Sequence, residues 1–202
     1  MADLFNIILS NIQETSLIEV FAVFFGILSV WFARKENILV FPTGIISVLL
    51  YVYICVGVKL YADMGINAFY FIMSVYGWYN WTHQNGKIEE RSISRTTKKE
   101  KSMVAIALVI FFAILYYVLS KHTDSNVPIV DSLTTSIFLI AMWLMALKKV
   151  ENWTFWIIGN IISIPLYISK DLMLTSFQFV IFLILAIMGL IEWRKRINNS
   201  IS

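Results

Sequence analysis

Long apolar stretches separated by short polar ones form the dominant pattern of this chain. Seven of these stretches are long enough to cross ~30 Å of hydrocarbon as a helix. They span about 16–33, 37–58, 62–82, 102–120, 128–147, 151–169 and 172–193. None shows the two-residue alternation of a barrel strand, and a helix satisfies its own backbone hydrogen bonds in lipid. The pattern predicts an all-α integral membrane protein with seven transmembrane helices.

The polar segments between these helices suggest how the chain is organised. We expect an outer N-terminal segment, a three-helix unit, a hydrophilic linker, a linker helix, a second three-helix unit and a tail. Their predicted ranges are 1–15, 16–82, 83–101, 102–120, 128–193 and 194–202.

Composition supports a membrane protein and narrows the chemistry. Of the 202 residues, 59% are hydrophobic and 14% are charged, and the mean hydropathy is +0.76. A single cysteine, Cys55, excludes an internal disulfide and a cysteine-based metal site. We therefore expect no metal and no cofactor.

The basic residues predict the orientation in the membrane. Of 16 Lys and Arg, all but Lys59, Lys121 and Lys170 fall on the side of the 83–101 linker. By the positive-inside rule that side is cytoplasmic, so the N-terminus lies outside and the C-terminus inside. Membrane topology alone explains why this linker is basic. We therefore expect the lipid bilayer, and no nucleic acid, as a partner of the protein.

The two halves of the chain also resemble each other. The run from Glu36 to Gly44 matches the run from Glu151 to Gly159 at an offset of 115. A second match, at an offset of 112, relates Gly77 and Trp81 to Gly189 and Trp193. The repeat predicts a parallel 3+1+3 plan with a binding site between the halves.

The sixth predicted helix carries a polar and aromatic stripe. At ~100° per residue, one face holds Trp153, Trp156, Asn160, Ser163 and Tyr167 within roughly 80°. Lipid offers these polar atoms no partner, so we expect the stripe to face a cavity. At the 115 offset the first half has Ile38, Phe41 and Ile45 in place of Trp153, Trp156 and Asn160, which predicts an asymmetric site.

The third and seventh helices supply candidates for the opposite wall. Asn67, Phe71 and Ser74 share a face of the third helix, and Gln178 on the seventh occupies nearly the place of Asn67. Two amides at such positions either line a common cavity or tie helices together.

Several tryptophans lie near predicted helix ends. Trp78, Trp81 and Trp193 have the positions of an interfacial aromatic belt, which is the interpretation that we favour for them.

The charged residues favour passive transport over coupled transport or catalysis. No Asp, Glu, Lys, Arg or His lies near the centre of a predicted span, where coupled carriers place a titratable group. His83 and His122 fall on opposite sides, and no phosphate-binding loop or hydrolase motif is present. The remaining alternatives are a receptor or a membrane-embedded enzyme that uses Asp63 and Asp131 at the outer face.

The stripe predicts the chemical class of the substrate. A flat cationic ring stacks on indole, and an asparagine amide pairs with a carboxamide or hydroxyl. We therefore expect a small planar cation with polar edges.

These residues also resemble a known family. The spacing of Trp153, Trp156 and Asn160, and the run from Tyr76 to Trp81, are similar to the Pnu vitamin transporters, specifically the nicotinamide riboside type. The resemblance implies a SWEET-like 3+1+3 fold, a homotrimer in the bacterial cytoplasmic membrane, and facilitated diffusion of nicotinamide riboside trapped by cytoplasmic phosphorylation. It also implies substrate contacts from Trp153, Trp156 and Asn160, with Asn67 standing where the family typically has Gln. Thiamine transporters share these landmarks, so thiamine is the alternative substrate.

Overall fold

The computed structural model describes residues 17–57, 61–84, 87–123, 125–170 and 172–199. The described chain forms seven helices: α1 Leu17–Arg34, α2 Val40–Gly57, α3 Tyr61–Thr82, α4 Lys98–His122, α5 Pro128–Ala146, α6 Asn152–Ser169 and α7 Met173–Asn199. A short hairpin of β1 His83–Gln84 and β2 Lys87–Ile88 follows α3. The predicted all-α architecture and its seven helices are confirmed, and the predicted segment 1–15 lies outside the described residues.

Four described segments are long and apolar enough to cross a membrane: Leu17–Arg34, Lys98–His122, Pro128–Ala146 and Thr175–Asn199. Helix α2 is apolar but slightly shorter, over Val40–Val56. The other two, α3 and α6, carry the polar side chains that were predicted to face a cavity. Each of these two helices also has an outward apolar face, where Ile72 of α3 and Ile161 of α6 are exposed.

Six helices pack pairwise into a closed ring. In order around the ring, α1 contacts α2, α2 contacts α3, α3 contacts α5, α5 contacts α6, α6 contacts α7, and α7 returns to α1. Helix α4 stands outside and packs against α5, where Val104 joins Ile140 and Leu144 in a small cluster. The ring therefore encloses the space in which a site can form, and α4 does not line it.

Aromatic side chains close one end of the ring. Trp81 meets Phe41 edge to face at 5.0 Å between ring centroids, and Trp193 meets Trp153 edge to face at 5.5 Å. Trp81 and Trp193 are themselves 5.8 Å apart. We call this end, which also carries the hairpin and the α5–α6 turn, the linker end.

Interfacial positions were expected for Trp81 and Trp193, and that prediction is wrong. Both are buried, at 2% and 0% exposed, whereas Trp78 is 42% exposed. The Trp81 Nε1–H donates to the Met145 carbonyl and the Trp193 Nε1–H to the Ala33 carbonyl, each at 3.0 Å. The last carbonyls of a helix lack partners in their own helix, so both indoles find acceptors inside the protein and need no interface.

The segment between the hairpin and α4 is folded against the α5–α6 turn. Ser94 N–H donates to the Lys148 carbonyl at 3.1 Å, and Val150 N–H donates to the Ser94 carbonyl at 3.0 Å. The Thr96 N–H donates to the Glu151 carboxylate at 3.0 Å. We call residues 89–97 the strap, because they cross the linker end.

A buried lysine lies beneath the strap. The Lys148 side chain is fully buried, with Nζ 2.8 Å from a Glu36 carboxylate oxygen and 3.1 Å from one of Glu90. Nζ also lies 4.7 Å from the Trp81 ring centroid, and Arg196 reaches Glu36 at 2.8 Å. The linker end is thus closed by an aromatic layer and a layer of ion pairs.

Candidate functional site

A cavity of about 270 Å³ lies inside the ring, next to the aromatic layer at the linker end. All six ring helices contribute to its lining, and its described lining holds no Asp, Glu, Lys, Arg or His. Six of the eight predicted site residues line it: Asn67, Ser74, Trp153, Trp156, Asn160 and Gln178. Three of the five stripe residues on α6 therefore face a cavity and meet the predicted side chains of α3 and α7 there, whereas Ser163 is buried away from the lining, with no partner for its Oγ in the described chain.

Two predicted residues do not line this cavity. Helix α3 presents Asn67, Tyr70 and Ser74, and Phe71 lies beside that face, one residue beyond Tyr70. Tyr167 stacks at 5.0 Å and 22° on Phe179, and Phe179 lines the cavity. Tyr167 thus lies behind Phe179 and does not itself line the cavity.

Asn160 combines burial with the absence of a protein partner. It is 2% exposed and lines the cavity, and within the described chain its side-chain amide has no hydrogen bond. The other two amides are already engaged: Asn67 Nδ2 donates to the Asp63 carbonyl at 2.9 Å, and the Gln178 side chain pairs with the Tyr51 hydroxyl. Because buried polar groups are normally hydrogen-bonded, Asn160 is the amide that is available to a ligand.

The two tryptophans of the stripe differ in their surroundings. Trp153 is 1% exposed, and its indole ring lies over Gly189, where a Cβ would come within 2.6 Å of the ring. Its Nε1–H is buried and has no partner in the described chain. Trp156 is partly exposed and stacks on Phe138, with centroids 5.4 Å apart. Trp153 forms the floor of the cavity, and Trp156 is the better stacking surface for a ligand.

Opposite walls of the cavity differ in side-chain size. Small residues of α1 and α2 form one wall: Gly26, Ser29, Gly44 and Ser47. Rings from α5, α6 and α7 form the other: Phe138, Trp156, Phe179 and Phe182. Helices α1 and α2 also contribute Phe41 and Tyr51, so the small residues form a patch within that wall.

Close packing of α1 on α2 maintains the small wall. Ser29 Oγ donates to the Val40 carbonyl, and Ser47 Oγ donates to the Ala22 carbonyl, both at 2.7 Å. A Cβ on Gly44 would lie 3.0 Å from Ser29 Oγ, tighter than an ordinary contact. Substitution there would push on the hydroxyl that joins the two helices.

Sequence reasoning missed several lining residues. Tyr51, Tyr70, Phe138, Phe179 and Phe182 all line the cavity, yet each lies in a stretch of apolar neighbours. A phenylalanine in such a stretch is equally compatible with lipid contact. Helical spacing could have indicated two of them, because Tyr70 shares a face with the predicted Asn67 and Ser74, and Phe182 lies four residues after the predicted Gln178.

Within the described residues, no cluster of three or more His, Cys, Asp and Glu side chains is arranged to hold a metal ion.

Comparison with known proteins identifies the family. A profile described as nicotinamide mononucleotide transporter matches residues 16–195. The nicotinamide riboside transporter PnuC of Escherichia coli K12 is 26% identical over 94% of this chain and 91% of its own length. The corresponding protein of Neisseria mucosa is 29% identical over 86% of this chain and 70% of its own.

A solved structure extends this similarity to the fold. The crystal structure of the vitamin B3 transporter PnuC superposes with a TM-score of 0.72 at 26% identity, covering 97% of this chain and 88% of that one. The predicted resemblance to the Pnu transporters is confirmed. Because the profile matches nearly the whole chain, this protein belongs to the nicotinamide mononucleotide transporter family.

Proposed function

We propose that this protein carries nicotinamide riboside across the membrane by facilitated diffusion. The observation that supports this most strongly is the unpartnered, buried amide of Asn160, one helical turn from the Trp156 indole in an uncharged cavity. A pyridinium ring stacks favourably on indole, and a carboxamide offers the donor and acceptor that match an asparagine. The names of the relatives point to the same substrate.

The uncharged lining also supports a passive mechanism. Carriers that use a proton or ion gradient commonly hold a carboxylate, a histidine or a basic side chain within the membrane, and the described cavity lining contains no Asp, Glu, Lys, Arg or His. We propose that the linker end faces the cytoplasm, with the N-terminus outside, because the basic residues concentrate there. Phosphorylation of the riboside in the cytoplasm would then trap it, and assembly as a homotrimer remains an expectation of the family resemblance.

We also propose that the ring is built from two parallel three-helix repeats, as in SWEET-like folds. Two hydrogen bonds support this plan. Trp81 donates to Met145, and Trp193 donates to Ala33. Trp81 and Trp193 are 112 residues apart, and so are Ala33 and Met145, so each bond is the counterpart of the other.

The cavity lining supports the same relation. Pairs of lining residues separated by 112 positions include Gly26 with Phe138, Val30 with Met142, Phe41 with Trp153, Gly44 with Trp156, Val48 with Asn160, and Tyr70 with Phe182. We therefore propose an offset of 112 for the second helices as well, in place of the 115 of the sequence match. On that alignment Phe41, Gly44 and Val48 would be the counterparts of Trp153, Trp156 and Asn160.

The family description names nicotinamide mononucleotide, whereas the relatives are named for nicotinamide riboside, which lacks the phosphate. The cavity favours the riboside. A phosphate group buried without a cation or hydrogen-bond donors is costly, and no Lys, Arg or His belongs to the described lining. Thiamine is also a planar cation, so charge alone does not exclude it.

Calorimetry on the purified protein separates these substrates. We expect nicotinamide riboside to bind at least about 100-fold more tightly than nicotinamide mononucleotide, because the phosphate finds no partner. Tight binding of thiamine with none of the riboside would contradict the proposal. Equal affinity for the mononucleotide would show that the substrate occupies a different site.

A further inference from the structure

Phe138 lies where three helices of the ring meet. Its ring stacks on Trp156 of α6, with centroids 5.4 Å apart and planes 30° apart, and on Phe179 of α7, at 5.9 Å and 10°. A Cβ added to Gly159 would overlap the Phe138 ring. Phe138 therefore packs directly against the α6 backbone, one turn beyond Trp156.

Phe138 is the aromatic partner of Trp156. In the described chain Phe138 is the ring that stacks on the indole, and Gly159 contributes no side chain beside it. Trp156 also packs against the buried cluster at the linker end, and it lines the cavity. Phe138 therefore helps to set the plane of an indole that is in reach of a ligand.

We infer that Phe138 is a positioning residue that sets the preference of this transporter for a flat cationic ring. It does so by holding the Trp156 indole in the plane on which that ring stacks. Attraction between a cation and an aromatic ring is directed to the ring face, because the ring edge carries the opposite partial charge. An indole that turns its edge to the substrate loses this attraction, although it still fills the same volume. The inference rests on the proposed function.

Two ligands that differ in ring charge provide the readout. Nicotinamide riboside carries a cationic aromatic ring, and its reduced form carries an uncharged dihydropyridine ring with the same carboxamide and ribose. The ratio of their affinities reports on the stacking surface, whereas a general loss of folded protein lowers both affinities together. We expect Phe138→Leu to lower the preference for the cationic form by about 3- to 10-fold, the range set by one aromatic stacking contact.

A matched control comes from the helix outside the ring. Phe112 on α4 stacks on Tyr116 at 6.1 Å and 12°, and neither lines the cavity. Phe112→Leu removes the same atoms from a comparable ring pair, so the affinity ratio should stay at the wild-type value.

Gly159→Ala tests the same contact from the other side. The added methyl group displaces the Phe138 ring, so this variant should lower the ratio even though Trp156 and Phe138 are both present. Combining it with Phe138→Leu makes room for the methyl group, and the double variant should be no less selective than Phe138→Leu alone.

The outcomes separate the inference from the function on which it rests. Wild-type protein that binds neither form of the riboside would overturn both. Wild-type protein that prefers the cationic form, with that preference unchanged in Phe138→Leu or, if that variant does not fold, in Gly159→Ala, would overturn the positioning role alone.

Discussion

Asn160 is expected to contribute to substrate binding and little to the stability of the fold. The Asn160 amide opens onto the cavity and has no hydrogen bond within the described chain, while Asn67 and Gln178 bond within the protein. The amide therefore gives little to the folded state. In the proposed site its hydrogen-bonding capacity is available to the substrate.

Replacing Asn160 by alanine should weaken binding without weakening the fold. We expect the affinity for nicotinamide riboside to fall about 10- to 100-fold in calorimetry, because the carboxamide loses its partner. The melting temperature should stay level or rise, because no protein hydrogen bond is removed.

Asn80 is the matched control, because it is also buried but donates to the Ala146 carbonyl at 2.8 Å, away from the cavity lining. Asn80→Ala should lower the melting temperature and leave the affinity of the folded protein nearly unchanged. If both variants melt early and Asn160→Ala still binds normally, then Asn160 is a structural residue.

The sequence predicts polar site residues better than apolar ones. Trp156 and Asn160 could be recognised because a polar or amphipathic side chain inside an apolar helix needs a reason to be there. Phe138 gives no such signal, since lipid and cavity accept it equally. Trp81 and Trp193 were misassigned for a related reason: a helix-end tryptophan has the same sequence context whether its N–H meets a headgroup or a carbonyl.

At the scale of elements, the strap and the α5–α6 turn act together. The fully buried Lys148 must offset its desolvation with Glu36, Glu90 and the Trp81 ring. Glu36 is mostly buried and Glu90 is largely exposed, with side chains 14% and 75% exposed. The two carboxylates therefore contribute unequally, since solvent screens the exposed one.

Charge-removing substitutions should reveal this inequality. We expect Glu36→Gln to lower the melting temperature clearly and Glu90→Gln to change it little. Lys148→Met should cost on the order of 3 kcal/mol, because it removes the buried one of the two cations that pair with the mostly buried Glu36 carboxylate. Thermal unfolding in detergent measures all three variants, and a larger effect of Glu90→Gln than of Glu36→Gln would contradict the assignment.

Helix positions could be predicted from the sequence, but the strap could not. An apolar stretch of membrane length predicts a helix almost by itself. The bond between Ser94 and Lys148 joins residues 54 positions apart, and it depends on how α3 and α5 pack. A polar segment that is tied down by such contacts has the same composition as a free linker.

The whole molecule is a ring whose two halves meet twice. The α3–α5 and α7–α1 contacts join the three-helix units, and each is bridged at the linker end by one indole N–H bond. In the proposed orientation this closes the cavity toward the cytoplasm. Release of substrate to that side then requires both bonds, or the aromatic layer above them, to rearrange.

Transport assays should show a facilitator. In liposomes whose voltage is held at zero by valinomycin with equal K⁺ on both sides, uptake of nicotinamide riboside should stop when the concentrations inside and outside are equal. An imposed pH or Na⁺ gradient should change neither the rate nor the end point, because the described cavity lining carries no carboxylate or histidine of the kind that coupled carriers use. Accumulation driven by one of these gradients would show that the protein is a coupled carrier.

The uncharged lining also has an electrical consequence. A cavity without a fixed anion does not neutralise a cationic passenger, so each riboside would carry its own positive charge across the bilayer. A potential of 100 mV, negative inside, contributes about 2.3 kcal/mol to such a movement, enough for roughly 50-fold enrichment. In a living cell the membrane potential would therefore drive accumulation of the riboside without a co-transported ion.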